Sequence, residues 1–168
     1  ALRDVTEIRG GNYFAAAVGE VNVVTKMKET NTVIGGEGNG GIIVPDFHYG
    51  RDALMGIALF LTHLAKSKVK VSELRKSYPA YFISKNKIEL TPKINVDDVL
   101  EKVKSKYAHE NINTINGVKI DFEKEKEWVH LRKSNTEPII RIYAESQNEK
   151  KADALAQRII SDIKEIIK

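Results

Sequence analysis

Hydrophobic spacing divides the chain into two parts with different patterns. Ala1, Leu2, Val5 and Ile8 recur at helical intervals and Gly10-Gly11 closes the run, which predicts a short first helix. No capping residue and no Met precede it, so the chain is expected to be a fragment of a longer protein that begins inside an element. Tyr13 to Val18, flanked by glycines, predicts a buried strand. Val21, Val24 and Lys28 predict a helix, Thr32 to Ile34 a strand ending at Gly35-Gly36, and Ile42 to Val44 an extended segment before Pro45. From Arg51 to Lys66 the spacing predicts a helix with Leu54, Ile57, Ala58, Leu61, Leu64 and Ala65 on one face. Met55 and Phe60 make it apolar almost all round, so burial is expected. This order of strands and helices predicts a parallel α/β layer, partial because it has only two or three strands.

After Tyr78-Pro79 the pattern changes. Ile88 to Leu90 reads as a strand, and Asn95 with Asp98 three residues on caps a helix whose face is Val96, Val99, Leu100, Val103 and Tyr107. Ile115-Asn116-Gly117-Val118 predicts a hairpin with a type I′ turn, because Asn-Gly readily supplies two positive φ angles. Val118, Ile120 and Phe122 alternate, Trp128 to Leu131 and Ile139 to Tyr143 are further strands, and Lys150 to Ile167 is an amphipathic helix. The expected fold is a partial α/β layer over residues 1–77, followed over 78–168 by a small α+β domain with an antiparallel sheet and helices on one face.

Composition narrows the class. The 168 residues are 42% hydrophobic and 30% charged, which reads as globular and not disordered. With no cysteine, disulfides, thiolate zinc sites and thiol catalysis are excluded. The longest apolar run, Ala53 to Leu61, falls short of the roughly 20 residues that span a bilayer, and no signal peptide pattern is present. A cytoplasmic protein without a membrane partner is expected. The 27 basic side chains exceed the 23 acidic ones by four, but they are spread evenly along the chain, so a nucleic-acid partner is not expected.

Two loops can carry chemistry. Gly35-Gly36-Glu37-Gly38-Asn39-Gly40-Gly41 formally contains G-x-G-x-x-G, but an extended segment follows it where the dinucleotide motif needs a helix. What remains is a carboxylate, Glu37, and an amide, Asn39, the equipment of a sugar-hydroxyl reader or of a plain glycine turn. Arg132-Lys133-Ser134-Asn135-Thr136-Glu137-Pro138 gathers a guanidinium, an ammonium, two hydroxyls and an amide in a tight turn, which favours phosphate binding over a simple polar hairpin. Arg141 alternates with Ile139 and Tyr143 and reads as a sheet-surface charge. His63 and His130 read as packed or surface histidines. His48 stands out because it follows the glycine loop closely, and Asp52 reads as a helix cap.

Together these loops resemble those of the α-D-phosphohexomutase family, which comprises phosphoglucomutases, phosphomannomutases and phosphoglucosamine mutases. The segment Arg132 to Pro138 is similar to the family's phosphate loop, R-x-S-N/G-T-E-P, and Gly36 to Gly41 to its sugar loop, G-E-x-S-G-H. The resemblance covers the chain: residues 1–77 match the end of the third, sugar-binding domain and 78–168 the fourth, phosphate-binding one. It implies that Glu37 and Asn39 bind sugar hydroxyls, and that Arg132, Ser134, Asn135 and Thr136 hold the phosphate not being transferred. There are two departures. Glycine (Gly41 or Gly40) stands where the usual histidine lies, and Val21 stands where V-G-x-K/R commonly has a basic residue.

The implied reaction interconverts hexose 1-phosphate and 6-phosphate, of glucose or mannose type, by intramolecular phosphoryl transfer. It runs through a phosphoserine and a hexose 1,6-bisphosphate, with Mg²⁺ on an aspartate loop. Neither the serine loop nor the aspartate loop occurs in these residues. The chain is therefore expected to carry recognition only, with no catalytic residue and no metal ligand. Its implied partners are the phosphosugar and the N-terminal domains of the same protein. A phosphoglucosamine mutase and a non-catalytic sugar-phosphate-binding module are the alternatives.

Overall fold

In the computed structural model, which describes residues 1–91, 94–134 and 137–168, the chain forms two units, Ala1–Pro79 and Ala80–Lys168. The first begins with α1 (Leu2–Ile8) and α2 (Glu20–Thr30). α2 contains three valines, and its Thr25 and Thr30 hydroxyls donate to the carbonyls one turn back, Val21 and Lys26. Asn31, in the left-handed region at φ 50°, ends it. The short strands β1 (Gly35–Gly36) and β2 (Ile42–Ile43) then pair antiparallel, Gly35 with Ile43 and Gly36 with Ile42. α3 (Ala53–Ser67) and α4 (Val71–Lys76) complete the unit.

Two glycines set how closely these elements approach. A Cβ on Gly35 would stand 2.3 Å from Met27 Sδ, so the buried Met27 of α2 packs against bare backbone. A Cβ on Gly56 would stand 2.9 Å from Ile42 Cγ1, which brings α3 onto β2 and leaves Ile43 at 1% exposure.

Four expectations change in this unit. Thr32 to Ile34 forms no strand, and pairing begins only at Gly35, with Val33 exposed. Tyr13 to Val18 joins no sheet among the described residues, and Phe14 and Val18 are exposed. The visible strand pairing is antiparallel, because β1 and β2 are joined by a five-residue loop that reverses the chain without a crossover helix. The helix starts at Ala53 and has no buried residue, with Leu54 at 78% exposure. Its neighbours within the unit, two-residue β2 and six-residue α4, are too small to cover an apolar surface of fifteen residues.

The second unit is a five-stranded antiparallel sheet in the order β3-β7-β6-β5-β4. Its strands are β3 (Phe82–Glu89), β4 (Asn111–Asn113), β5 (Val118–Phe122), β6 (Glu127–Lys133) and β7 (Ile139–Ser146). Two helices, α5 (Val96–Lys106) and α6 (Glu149–Ile166), cover one face. Alternation sends Ile120, Val129, Leu131, Ile140 and Ile142 inward against Val103, Ile159 and Ile163, all fully buried. Each such aliphatic side chain contributes about 1.5–3 kcal/mol, which makes this the core that sustains the unit. Both helices start at asparagine caps. Asn95 Oδ1 accepts from the Asp97 N–H at 3.0 Å, and Asn148 Oδ1 from the Lys151 N–H at 3.1 Å.

The predicted type I′ turn is not formed. The connection between β4 and β5 is Thr114 to Gly117, and of the Asn116–Gly117 pair only Gly117 has positive φ (+86°). A two-residue turn would place Asn113 opposite Ile120, on the core face. The observed register pairs Ile112 with Ile120 and keeps Asn113 outside, where its Oδ1 accepts from the Ile115 N–H at 2.9 Å. Apolar register overrides local turn preference here.

Candidate functional site

The glycine loop is the hairpin connection between β1 and β2. Glu37 N donates to Gly41 O and Gly40 N donates to Glu37 O, both at 3.2 Å. Gly40 takes φ +86°, and a Cβ on Gly36 would fall 2.2 Å from Gly41 O, so glycine is required at both positions. Glu37 is half-buried. Its Oε1 accepts from the Gly19 N–H at 2.9 Å, at the N-terminus of α2, where Gly19 has no side chain to cap the helix. Glu37 thus serves as a cap supplied from another element, with its second oxygen left to accept from a ligand. Asn39 is exposed; its Oδ1 accepts from the Gly41 N–H at 3.0 Å, and its amide N–H groups are left as donors.

His48, singled out for its nearness to this loop, and Asp52, read as a helix cap, build its support. His48 Nδ1 accepts from the Gly50 N–H at 3.0 Å, which puts the ring proton on Nε2, 3.2 Å from Asp52 Oδ2. Asp52 Oδ1 caps α3 by accepting from the Met55 N–H at 2.8 Å, and that bond is the main cause of its lowered pKa. The Asp52 N–H in turn donates to Ile42 O at 2.8 Å, tying the start of α3 to β2.

This tie places a residue that sequence reasoning left inside the helix. Arg51 precedes the cap, and its Nε donates to Glu20 Oε2 at 2.8 Å. A Cβ on Gly41 would lie 2.7 Å from Arg51 Cδ. Arg51, Glu20, Asn39 and Gly41 line one open depression. No local motif announces Arg51. The only hint is that the sequence has glycine where the resembling loop has a large side chain.

The phosphate-type loop is held at both ends by backbone. Ser134 N donates to Ile139 O at 3.1 Å, Ile139 N to Glu137 O at 2.8 Å, and Leu90 N, just past β3, to Pro138 O at 2.9 Å. Ser134 is buried at 8% exposure. Arg132, on β6, is the register partner of Arg141 on β7, so both guanidiniums share the sheet face turned away from α5 and α6. No carboxylate pairs with either among the described residues, whereas Lys87 pairs with Glu89 and Lys119 with Asp121. Arg141 is therefore a neighbour of Arg132, a relationship that spacing along one strand does not reveal. Lys133 points the other way and pairs with Asp97 of α5 at 2.7 Å. Asn135 and Thr136 lie outside the described residues.

His130 sits on the same face as Arg132, beside Lys119 and opposite Tyr143. Its Nε2 bonds the Asn116 carbonyl, and its pKa is lowered by burial first and then by the nearby positive charges of Arg132 and Lys119. His63 bonds the Tyr78 hydroxyl at 2.9 Å, within the first unit. Among the described residues no three His, Asp or Glu side chains converge to hold a metal, and amides, hydroxyls and guanidiniums with one carboxylate do not suit Mg²⁺. No helix among them is long and apolar enough to cross a membrane.

Comparison with known proteins adds independent findings. Residues 1–81 match the family described as phosphoglucomutase/phosphomannomutase, alpha/beta/alpha domain III, and residues 68–161 the phosphoglucomutase/phosphomannomutase C-terminal domain. A phosphoglucosamine/phosphogalactosamine mutase of Sulfurisphaera tokodaii is 37% identical over 89% of the chain and 32% of its own length. A phosphoglucomutase/phosphomannomutase of Thermococcus kodakarensis is 38% identical over 99% of the chain and 36% of its own length. The chain thus spans about a third of these relatives. A solved phosphoglucomutase/phosphomannomutase family protein from Burkholderia thailandensis shares the fold, with a TM-score of 0.74 at 23% identity over 96% of this chain and 34% of that one.

Proposed function

This chain belongs to the phosphoglucomutase/phosphomannomutase family, and on that premise we propose that it supplies the substrate recognition of a phosphohexomutase. Residues 1–77 are the sugar-binding part and 78–168 the phosphate-binding part. Glu37 accepts from a sugar hydroxyl through its second oxygen, and the Asn39 amide donates to another. Arg132, Ser134 and the motif residues Asn135 and Thr136 hold the phosphate that is not being transferred, with Arg141 beside Arg132. The whole protein, an isomerase working in the cytoplasm, interconverts hexose 1-phosphate and 6-phosphate through a phosphoserine and a hexose 1,6-bisphosphate. The barrier to such transfer is lowered mainly by positioning and charge stabilisation, which is the kind of work these residues can do.

The observation that supports this reading most is the Arg132–Arg141 pair, two guanidiniums on register-paired positions with no carboxylate partner among the described residues. Like charges directly opposite in a sheet are unfavourable, and a bound dianion reverses the sign. The test is turnover of glucose 1-phosphate to glucose 6-phosphate by the whole protein, with and without Arg132→Ala. Unchanged kcat/KM in the variant would overturn the proposal. A second reading, an amino-sugar mutase, is favoured by the name of the Sulfurisphaera relative.

A further inference from the structure

The Glu20–Arg51 pair lies where the sugar loop departs from its usual pattern. Arg51 reaches it by passing over Gly41. Any side chain at position 41 would meet Arg51 at Cδ, 2.7 Å away, and at Cγ, 3.1 Å away. Glycine at 41 is thus the space that the arginine stem occupies. The backbone behind Arg51 is fixed by Asp52, which is bonded to Ile42 on one side and caps α3 on the other. Nε is committed to Glu20 at 2.8 Å, and Glu20 stands in the first turn of α2, next to the Gly19 N–H that Glu37 caps. One short stretch of backbone therefore orients both Glu37 and the carboxylate that holds Arg51.

The pair is not a packing device. Its side chains are 52% and 36% exposed, and an exposed ion pair contributes little to stability. With Nε engaged, the terminal N–H groups of the guanidinium remain as donors in a planar fork, in the same depression as the Asn39 amide. The positive charge of Arg51 also balances that of Glu20. Without it, an acidic group would stand alone at the sugar loop.

We infer that the Glu20–Arg51 pair is the element that decides between neutral and amino hexose phosphates. Arg51 donates to hydroxyl oxygens of a neutral sugar. By neutralising Glu20 it withholds the carboxylate that would attract the 2-ammonium group of a hexosamine phosphate. This inference rests on the reading of the glycine loop as the sugar site.

The whole protein, assayed with glucose 1-phosphate and with glucosamine 1-phosphate, tests it. Arg51→Ala is expected to lower kcat/KM for glucose 1-phosphate about tenfold, mostly through KM, the loss of one charge-assisted hydrogen bond. The preference for the amino sugar over glucose rises by at least the same factor, because Glu20 is left unpaired. Arg51→Lys recovers most of the wild-type preference, and Glu20→Gln moves it away from the amino sugar. Gly41→Ala, which displaces the arginine stem, shifts the preference as Arg51→Ala does and adds nothing in an Arg51→Ala background. An equal fall for both sugars, or no change for either, overturns the inference while leaving the site reading intact. A folded wild-type protein that converts neither phosphosugar overturns the site reading, and the inference with it.

Discussion

Arg132 and Arg141 stand directly opposite each other on β6 and β7, on the sheet face turned away from the helices. The strand register that joins them is set by the core. Leu131 pairs with Ile142, both buried, and Ile140 beyond Arg141 is buried too, so the adjacent positions Arg132 and Arg141 must alternate onto the outer face. Packing on one side of the sheet thus builds a site of concentrated positive charge on the other.

Because this arrangement is unfavourable until an anion arrives, Arg132→Ala is expected to separate binding from stability. Affinity for glucose 1-phosphate falls by about 1.5–3 kcal/mol, the value of hydrogen bonds to a charged group. The unfolding midpoint of the ligand-free protein stays level or rises slightly, since a like-charge pair contributes a few tenths of a kcal/mol against folding. Calorimetric titration and urea unfolding of the same variant check both halves. A clear loss of ligand-free stability would show that Arg132 serves the fold.

Glu37 is expected to carry two separable functions. Glu37→Ala removes the acceptor at the start of α2 and costs about 1 kcal/mol of stability, as loss of an N-cap does. It also weakens sugar phosphate binding while leaving inorganic phosphate affinity unchanged. Glu37→Gln keeps the cap through its amide oxygen and recovers most of the stability. Thermal unfolding of the two variants, set beside titrations with both ligands, distinguishes the roles. Equal loss for both ligands would make Glu37 purely structural.

The β4–β5 turn makes a sharper test of backbone than of side chains. Gly117→Ala is expected to destabilise the protein by about 1–3 kcal/mol, because φ is +86° and the new Cβ would stand 2.2 Å from Leu131 O. Asn116→Ala is expected to be nearly neutral, within about 0.5 kcal/mol, since Asn116 does not adopt positive φ. Denaturant midpoints of the two variants decide, and a large cost at Asn116 would restore the type I′ turn.

His130 makes stability depend on pH. Burial and the nearby charges of Arg132 and Lys119 hold its pKa below the usual 6.5, so the folded state binds this proton less readily than the unfolded state. Its contribution is complete above that unfolded value and is lost as pH falls through the lowered folded value. Urea midpoints at about pH 7.5 and about pH 5.5 should therefore draw apart in the wild type and approach each other in His130→Gln. The same drop in both proteins would exclude His130 as the source.

The second unit was largely readable from the chain. Asn95 caps its helix, and Val118, Ile120 and Phe122 alternate into the core, because a self-contained sheet and its helices encode their own inner face. The apolar surface of α3 was equally plain in the sequence, but its burial was not decided there. Periodicity says which face seeks a partner and not whether one is present, and Leu54 remains exposed.

The same limit holds at the candidate site. Sequence alone singled out the two loops and the groups they carry, from Glu37 and Asn39 to Arg132 and Ser134, as candidates for binding, because turn-forming residues and their functional groups lie side by side in the chain. Only tertiary structure decided what those groups already hold and which others join them. Glu37 caps a helix eighteen residues away, Asn39 turns its oxygen into its own loop, and Lys133 leaves for Asp97. Arg51 reaches Glu20 across a glycine, and Arg141 meets Arg132 through strand register. The physical reason is that residue type and spacing fix local conformation, whereas charge pairing across elements depends on register and approach distance, which the packing of the core and the absence of a Cβ determine.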